Sequence, residues 1–262
     1  MKFLAKWRIR KPADDAETVY VSEKFGVRSL HIGSDTVQSA MRIARPYDLE
    51  LSYTRSMMGF MLFNENPGRV LMIGLGGGSL AKFIYRQLPG ASLQVVEINP
   101  RVVAIARQYF HVPQDDARLS IIVGDGADYT ARGGDSVDLL VVDGYDAESH
   151  VEELSNRAFY EACRKRLGAR GILVVNLWGG DRQFNETLQR IENAFPGGTL
   201  CLPAEKPGNV AVFAFSAHPG NPGWEELAQR ALLLQQRHGL EFPRFVEGLR
   251  KMNRHDERRL FV

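Results

Sequence analysis

The chain has little cysteine and little net charge, and each shortage excludes a class of protein. Cys163 and Cys201 are the only two cysteines in 262 residues and form no C-x-x-C pair. Neither a disulfide framework nor a cysteine zinc site is therefore expected, and both thiols are expected to fill core space in a reducing compartment. The net charge of +2, from 33 basic and 31 acidic residues, argues against a general nucleic-acid-binding surface.

Long apolar runs are also missing. No stretch approaches the ~20 consecutive apolar residues of a membrane-spanning helix, so no membrane association is predicted. The first residues lack the apolar run and small-residue cleavage site of a signal peptide, which predicts a cytoplasmic protein. The histidines form no H-E-x-x-H motif and no G-x-S-x-G elbow occurs, so neither a metal site nor a serine hydrolase is predicted.

What the sequence does contain is a regular alternation of strands and helices. The apolar runs that predict buried strands are 70–73, 93–97, 119–123, 139–142 and 172–175. Helical patterns separate most of these runs, and right-handed crossovers between them predict a doubly wound, mostly parallel sheet. Two later strands, near 199–202 and 210–215, are predicted to pair as an antiparallel edge.

The chain is expected to have three parts. Residues 1–50 read as a small β segment, and a helix is predicted at 47–64. Residues 51–220 are expected to form a Rossmann-like catalytic domain that binds a nucleoside. Residues 221–262 are expected to form a helical tail, whose arginine-rich end is predicted to be a solvated face or a contact between subunits.

The strongest local signal is the segment Gly74-Leu75-Gly76-Gly77-Gly78-Ser79, between the first parallel strand and a helix. Glycines let the backbone turn sharply and allow a ligand to approach it closely. Ser79 stands where the dinucleotide fingerprint needs a glycine, and no G-K-[ST] follows, which excludes a nucleoside triphosphate P-loop. The loop is predicted to hold a ligand; the alternative is a tight turn without one.

Acidic residues end the next three strands. Glu97 is predicted to accept hydrogen bonds from ribose hydroxyls. Asp125, within Gly124-Asp125-Gly126-Ala127, is predicted to read the amino group of adenine, with a simple Asp-Gly turn as the alternative. Asp143 ends the fourth strand. Because ligands of open α/β sheets bind outside the carboxyl ends of the strands, these side chains are expected to share one cleft.

This order of features is that of S-adenosylmethionine-type Rossmann proteins, and more narrowly the chain resembles the polyamine aminopropyltransferases, the spermidine and spermine synthases. The resemblance covers about residues 66–180 and extends more weakly to 216. Its motifs are VLMIGLGGGS, VVEINPRVVAIARQYF, GDGADY, VVDGYDAE and PGNVAVFAFS. It implies the fold of the S-adenosylmethionine-dependent methyltransferases, with seven mostly parallel strands, a late antiparallel strand and a small N-terminal β appendage.

The resemblance also implies roles for individual residues. It assigns the methionine-derived part of the donor to Gly74, Gly76, Gly77, Gly78 and Ser79. Glu97 is implied to bind ribose, and Asp125, Gly126 and Ala127 to bind adenine. Asp143 is implied to be the catalytic acidic residue. Asp146 is implied to help hold the amine acceptor. Independently of the resemblance, the aromatic residues Tyr53, Tyr145 and Trp178 are predicted to line the acceptor pocket, with a role in packing as the alternative.

The implied activity is transfer of an aminopropyl group from decarboxylated S-adenosylmethionine to a polyamine such as putrescine, without a metal, in a homodimer or homotetramer. An amine attacks only when it carries no proton, and a carboxylate within hydrogen-bond reach can orient it and accept that proton. Two alternatives stay open. Ser79 replaces an aspartate that would repel the carboxylate of intact S-adenosylmethionine, which permits a methyltransferase; the other is a non-catalytic nucleoside-binding homologue.

Overall fold

The computed structural model describes residues 18–144, 152–206 and 208–262. These residues form two sheets, one of three strands and one of seven, with helices packed on both faces of the larger sheet. The predicted acceptor residues Tyr145 and Asp146 lie outside the described residues.

The N-terminal sheet is a meander of three antiparallel strands, β1 (Val19–Lys24), β2 (Val27–Ile32) and β3 (Val37–Arg42). The first two match the predicted strands, whereas β3 was not expected because its sequence, VQSAMR, has weak apolar alternation. Leu30 and Met41 are fully buried and form a small core with Val102 and Phe110 of the larger unit. The β appendage is thus confirmed and is packed against the rest of the chain.

The predicted helix at 47–64 is wrong in its extent. Residues 47–51 form turns, helix α1 spans only Ser52–Met57, and a 3-10 helix follows at Met58–Leu62. In this tighter coil Gly59 lies against the large sheet, where a Cβ atom at Gly59 would come within 2.8 Å of Leu202 and 2.9 Å of Phe213. Residues 57–62 are apolar throughout because they are buried, so periodicity there does not distinguish a continuing α-helix from a short 3-10 helix.

The large sheet contains seven strands in the order β6-β5-β4-β7-β8-β10-β9. Their bounds are β4 Arg69–Ile73, β5 Ser92–Glu97, β6 Leu119–Val123, β7 Val137–Val142, β8 Leu167–Trp178, β9 Thr199–Pro203 and β10 Asn209–Phe215. Strands β4 to β8 are parallel, and β10 runs antiparallel to both β8 and β9. The predicted mostly parallel sheet with a late antiparallel strand is confirmed.

The remaining helices are α2 (Ser79–Gln87), α3 (Pro100–Tyr109), α4 (Gly126–Ala131), α5 (Arg157–Arg166), α6 (Phe184–Ala194), α7 (Trp224–His238) and α8 (Phe242–Met252), with a 3-10 turn at Glu152–Leu154. The predicted helical tail at 221–262 contains two helices, which are separated at Gly239, whose φ of +71° closes α7 with a left-handed cap. Buried side chains of both tail helices join the main core beside β9 and β10.

The parallel strands are apolar in nearly every position because the sheet is covered on both faces. Their carboxyl ends all lie at one edge, and the loops that follow β4, β5, β6 and β7 leave the sheet there. No helix among the described residues is long and apolar enough to cross a membrane.

Candidate active site

A cavity of about 970 Å³ opens at the carboxyl ends of the parallel strands. One wall is formed by the loops after β4, β5 and β6. The opposite wall is formed by β3, α1, the end of β8 and the start of β10. The N-terminal sheet therefore supplies part of the site, which the sequence did not indicate.

The glycine loop turns with three positive φ angles, +90° at Gly74, +53° at Gly76 and +69° at Gly78. A Cβ atom at Gly74 would overlap the carbonyl oxygen of Asp143, so only glycine lets β4 and β7 end this close together. Gly74 and Gly76 line the cavity. Gly77 and Gly78 are not among the lining residues. Gly77 packs against Ser39 and Phe110, and Gly78 packs against Val112.

Glu97 holds the glycine loop as well as facing the cavity. Its Oε2 accepts a hydrogen bond from the backbone N–H of Leu75 at 2.8 Å, and its Oε1 accepts one from Asn99 at 2.9 Å. Burial raises the pKa of the Glu97 carboxyl, and the bonds from the backbone of Asn99, Leu75, Gly76 and Ile98 oppose that rise. The carboxylate is thus fixed by its own chain at the end of β5, where the sequence predicted a ribose contact.

Asp125 caps helix α4. Its Oδ1 accepts a hydrogen bond from the N–H of Asp128 at 2.9 Å, so the helix replaces the Asp-Gly turn considered from the sequence. Asp125 and Gly126 line the cavity. Ala127 does not; it packs on the far side against the core beneath α4. Gly126 has no room for a side chain, because a Cβ atom there would overlap Ile73.

Ser79 begins α2 and lies in the cavity wall. Its hydroxyl donates to the carbonyl oxygen of Ala40 in β3 at 3.3 Å. This bond joins the glycine loop to the N-terminal sheet. A neutral hydroxyl therefore stands where the family resemblance places an aspartate.

Asp143 lies at the end of β7, and its partly buried carboxylate is held between two donors. The Nδ2 of Asn176 donates to Oδ1 at 3.0 Å, and the hydroxyl of Tyr53 donates to Oδ2 at 3.3 Å. Burial raises the pKa of Asp143 from its ordinary 3.8 to about 6, although both bonds lower it. Asp143 and Tyr53 both line the cavity, so the structure brings together two residues separated by ninety positions.

Sequence reasoning missed several residues of the second wall. Asn176 and Asn209 both line the cavity, and the Nδ2 of Asn209 donates to the Oδ1 of Asn176 at 3.0 Å. Gln38 and Ser39 of β3 line it too. An amide side chain on a strand, or a short polar strand such as β3, carries no local sequence signal of a site. Trp178, which was predicted as a pocket residue, does line the cavity. Among the described residues no group of three histidine, cysteine or acidic side chains is placed to hold a metal ion.

Two comparisons identify the family. The model of the spermine/spermidine synthase domain matches residues 50–199. A polyamine aminopropyltransferase from Chromobacterium violaceum is 42% identical over 255 residues, which are 97% of this chain and 98% of that protein. The chain belongs to the spermine/spermidine synthase family. The predicted transferase of polyamine biosynthesis, moving an aminopropyl group, is thereby confirmed.

Solved structures agree with this fold. A probable spermidine synthase from Corynebacterium glutamicum superposes with a TM-score of 0.70 at 16% identity, covering 92% of this chain and 93% of the other. Human methyltransferase-like protein 13, in complex with SAH, superposes with a TM-score of 0.65 at 25% identity, covering 72% of this chain and 92% of the other. The fold is thus shared with a probable spermidine synthase and with a methyltransferase-like protein.

Proposed function

We propose that this enzyme transfers the aminopropyl group of decarboxylated S-adenosylmethionine to a diamine such as putrescine, with Asp143 orienting the attacking amine and accepting its proton. The observation that carries the proposal is the place of Asp143: a partly buried carboxylate, held by Asn176 and Tyr53, on the cavity that also contains Glu97 and Asp125. A base with fixed orientation is what deprotonation of an amine requires.

The donor is expected to lie along the wall formed by the glycine loop, Glu97 and Asp125. In this arrangement Glu97 accepts hydrogen bonds from the ribose hydroxyls, and Asp125 or its neighbouring backbone reads adenine. Gly74 and Gly76 leave room for the sulfonium end, because no side chain projects from the loop there. The sulfonium carbon then points towards the end of β7, where Asp143 lies.

The transfer is a displacement at carbon. The amine nitrogen forms a bond to the propyl carbon, the carbon–sulfur bond breaks with its electron pair going to sulfur, and the nitrogen loses one proton to Asp143. The products are a secondary amine and methylthioadenosine. With a pKa of about 6, Asp143 is ionised at neutral pH and yet is a stronger base than an exposed aspartate.

The charge of the second wall suits a cationic acceptor. Glu153 and Asp181 line the cavity together with a single arginine, Arg182, among the described lining residues. Carboxylates in a cleft raise the local concentration of a cation such as a protonated diamine. Trp178, which is about half exposed, offers an aromatic face for the methylene chain and the distal ammonium.

A methyltransferase using intact S-adenosylmethionine is the second candidate, and Ser79 is the observation that favours it. Its hydroxyl is neutral and already bonded to Ala40, so it offers no charge that repels the carboxylate of the intact donor. The two candidates share the donor wall and differ in which carbon the acceptor attacks.

A competition between donors separates the candidates. The protein is incubated with putrescine and equal amounts of decarboxylated and intact S-adenosylmethionine, and the nucleoside product is identified by mass spectrometry. Methylthioadenosine together with spermidine is the expected result. S-adenosylhomocysteine with a methylated amine, or no product in a protein shown to bind methylthioadenosine, would contradict the proposal.

A further inference from the structure

Asp143 is linked to residues that do not face it directly. Asn176, on β8, donates to Asp143 on β7, and Asn209, on β10, donates to Asn176, each at 3.0 Å. The three side chains therefore form a single file across three neighbouring strands of the sheet. Asn176 belongs to no motif that the sequence singled out, and Asn209, although it lies within PGNVAVFAFS, was given no role from the sequence.

The register of the sheet produces this file. In the antiparallel pair of β8 and β10, Asn176 lies opposite Ala211 and Asn209 lies opposite Trp178. Side chains alternate between the two faces of a sheet, so Asn176 and Asn209 are diagonal neighbours on one face, within reach of each other. A shift of one residue would place one of them on the other face and break the contact.

The order of donors in the file matters because a side-chain amide has one donating end and one accepting end. The accepting Oδ1 of Asn176 is occupied by the Nδ2 of Asn209. The donating Nδ2 of Asn176 is then left to face Asp143. Were the amide of Asn176 reversed, its oxygen would lie against the carboxylate of Asp143, and its nitrogen would lie against the nitrogen of Asn209.

We propose that Asn209 and Asn176 are positioning residues for the transfer reaction: Asn209 fixes the orientation of the Asn176 amide, which in turn holds Asp143 in place as an ionised base. This inference rests on the proposed role of Asp143. Neither asparagine is required to touch the reacting atoms, and the effect of Asn209 passes through Asn176.

The surroundings of Asp143 support this reading. Burial raises its pKa, and the two bonds that lower it come from Asn176 and from Tyr53 on α1. The other acidic groups described on the cavity wall are Glu97, Asp125, Glu153 and Asp181, with Arg182 as the basic one. Neutral donors at close range thus favour the ionised form of Asp143 against the larger effect of burial, and loss of the Asn176 donor is expected to raise the pKa of Asp143 further.

The test is the pH dependence of aminopropyl transfer in Asn176→Leu, Asn209→Leu and Asn209→Asp. Loss of one hydrogen bond to a charged group is expected to move the acid limb of the pH–rate profile of Asn176→Leu upward by about one pH unit. With the pKa of Asp143 starting at about 6, this gives about a fivefold loss of rate at pH 6, approaching about tenfold at lower pH and little at pH 9. Asn209→Leu is expected to move the acid limb upward by about half as much as Asn176→Leu. Asn209→Asp keeps the shape but removes the donor, and is expected to move it further than Asn209→Leu.

The double variant Asn176→Leu/Asn209→Leu tests whether the effect passes along the file. Its acid limb is expected to match that of Asn176→Leu alone, because Asn209 is proposed to act only by orienting the amide of Asn176, which both variants lack. Val212→Ala is the matched control. It weakens β10 from the opposite face of the sheet and is expected to lower stability without moving the limb.

Titration of Asp143 itself, by ¹³C NMR of aspartate-labelled protein without substrate, separates this inference from the proposed function. An upward shift of the titration in the asparagine variants supports the inference even if Asp143 proves not to be the base. A folded Asn209→Asp variant with an unchanged titration and an unchanged acid limb would overturn it. An acid limb of the double variant that lies well above that of Asn176→Leu would also overturn the inference.

Discussion

The two walls of the cavity differ in how the chain builds them. The donor wall comes from loops that directly follow three adjacent strands. Its carboxylates, Glu97 and Asp125, are fixed by backbone N–H groups of these same loops, including that of Leu75 in the neighbouring glycine loop. The acceptor wall comes from β3, α1, β8 and β10, and its carboxylate, Asp143, is held by side chains that are far away in sequence. The donor wall is local and the acceptor wall is assembled by the tertiary fold.

This difference teaches which substitutions separate binding from chemistry. Changes on the donor wall are expected to alter nucleoside affinity, because backbone groups and carboxylates there meet the unreactive part of the substrate. Changes on the acceptor wall are expected to alter turnover with little effect on the nucleoside.

Asp143→Asn is expected to have the largest effect, a loss of turnover of about 10²–10⁴-fold, since the base is removed while its shape is kept. An amide at position 143 can still accept from Asn176 and offer its own N–H to Tyr53, so the fold is retained. Steady-state rates of spermidine formation measure the loss. Turnover like that of the wild type would show that Asp143 is not the base.

The same variant is expected to be more stable than the wild type at pH 8. Because the pKa of Asp143 is raised to about 6 in the folded protein, its stabilising contribution is complete below 3.8 and is lost as the pH rises through 6. Ionisation at pH 8 therefore costs the fold on the order of 3 kcal/mol, which the neutral amide avoids. Chemical denaturation at pH 5 and pH 8 checks this, and an advantage that does not shrink towards pH 5 would contradict it.

Glu97→Gln is expected to weaken binding of methylthioadenosine by about 10–100-fold, the range for loss of hydrogen bonds to a charged group. The amide places a donor where the carboxylate accepts from Leu75 or Asn99, which also loosens the glycine loop. Calorimetric titration measures the affinity, and kcat at saturating donor is expected to fall much less. A large fall in kcat with unchanged affinity would contradict the assignment of Glu97 to nucleoside binding.

Ser79→Asp is expected to increase the preference for decarboxylated over intact S-adenosylmethionine by about tenfold, because the new carboxylate repels the carboxylate of the intact donor. The variant also loses the bond to Ala40. Ser79→Ala, which loses the same bond without adding charge, is the matched control. The ratio of inhibition constants of intact and decarboxylated donor gives the answer. Equal ratios of the two inhibition constants in Ser79→Asp and Ser79→Ala would show that the charge at position 79 does not affect the choice of donor.

The sequence predicted the donor wall well because its signals are local. Gly74 and Gly76 mark a turn that only glycine allows, and Glu97 and Asp125 follow buried strands. Gly77, Gly78 and Ala127 share the same motifs but do not line the cavity, since a motif does not show which of its residues face a ligand. Their predicted contacts with the donor stay predictions.

The acceptor wall was predicted only in part. Asp143 follows a strand and was found, whereas Asn176 and Asn209 meet only through the register of β8 and β10. The N-terminal sheet was expected as an appendage, yet Gln38 and Ser39 reach the cavity because Leu30 and Met41 anchor the sheet on the core. Such contacts depend on long-range pairing, which periodicity along the chain does not encode.

The most direct test of the division between the two walls is the affinity of Asp143→Asn for decarboxylated S-adenosylmethionine, measured by calorimetry beside its turnover. We predict a dissociation constant within about twofold of the wild type while turnover falls by at least about 10²-fold. A donor affinity that falls in parallel with turnover would contradict the account, because Asp143 would then belong to the donor wall.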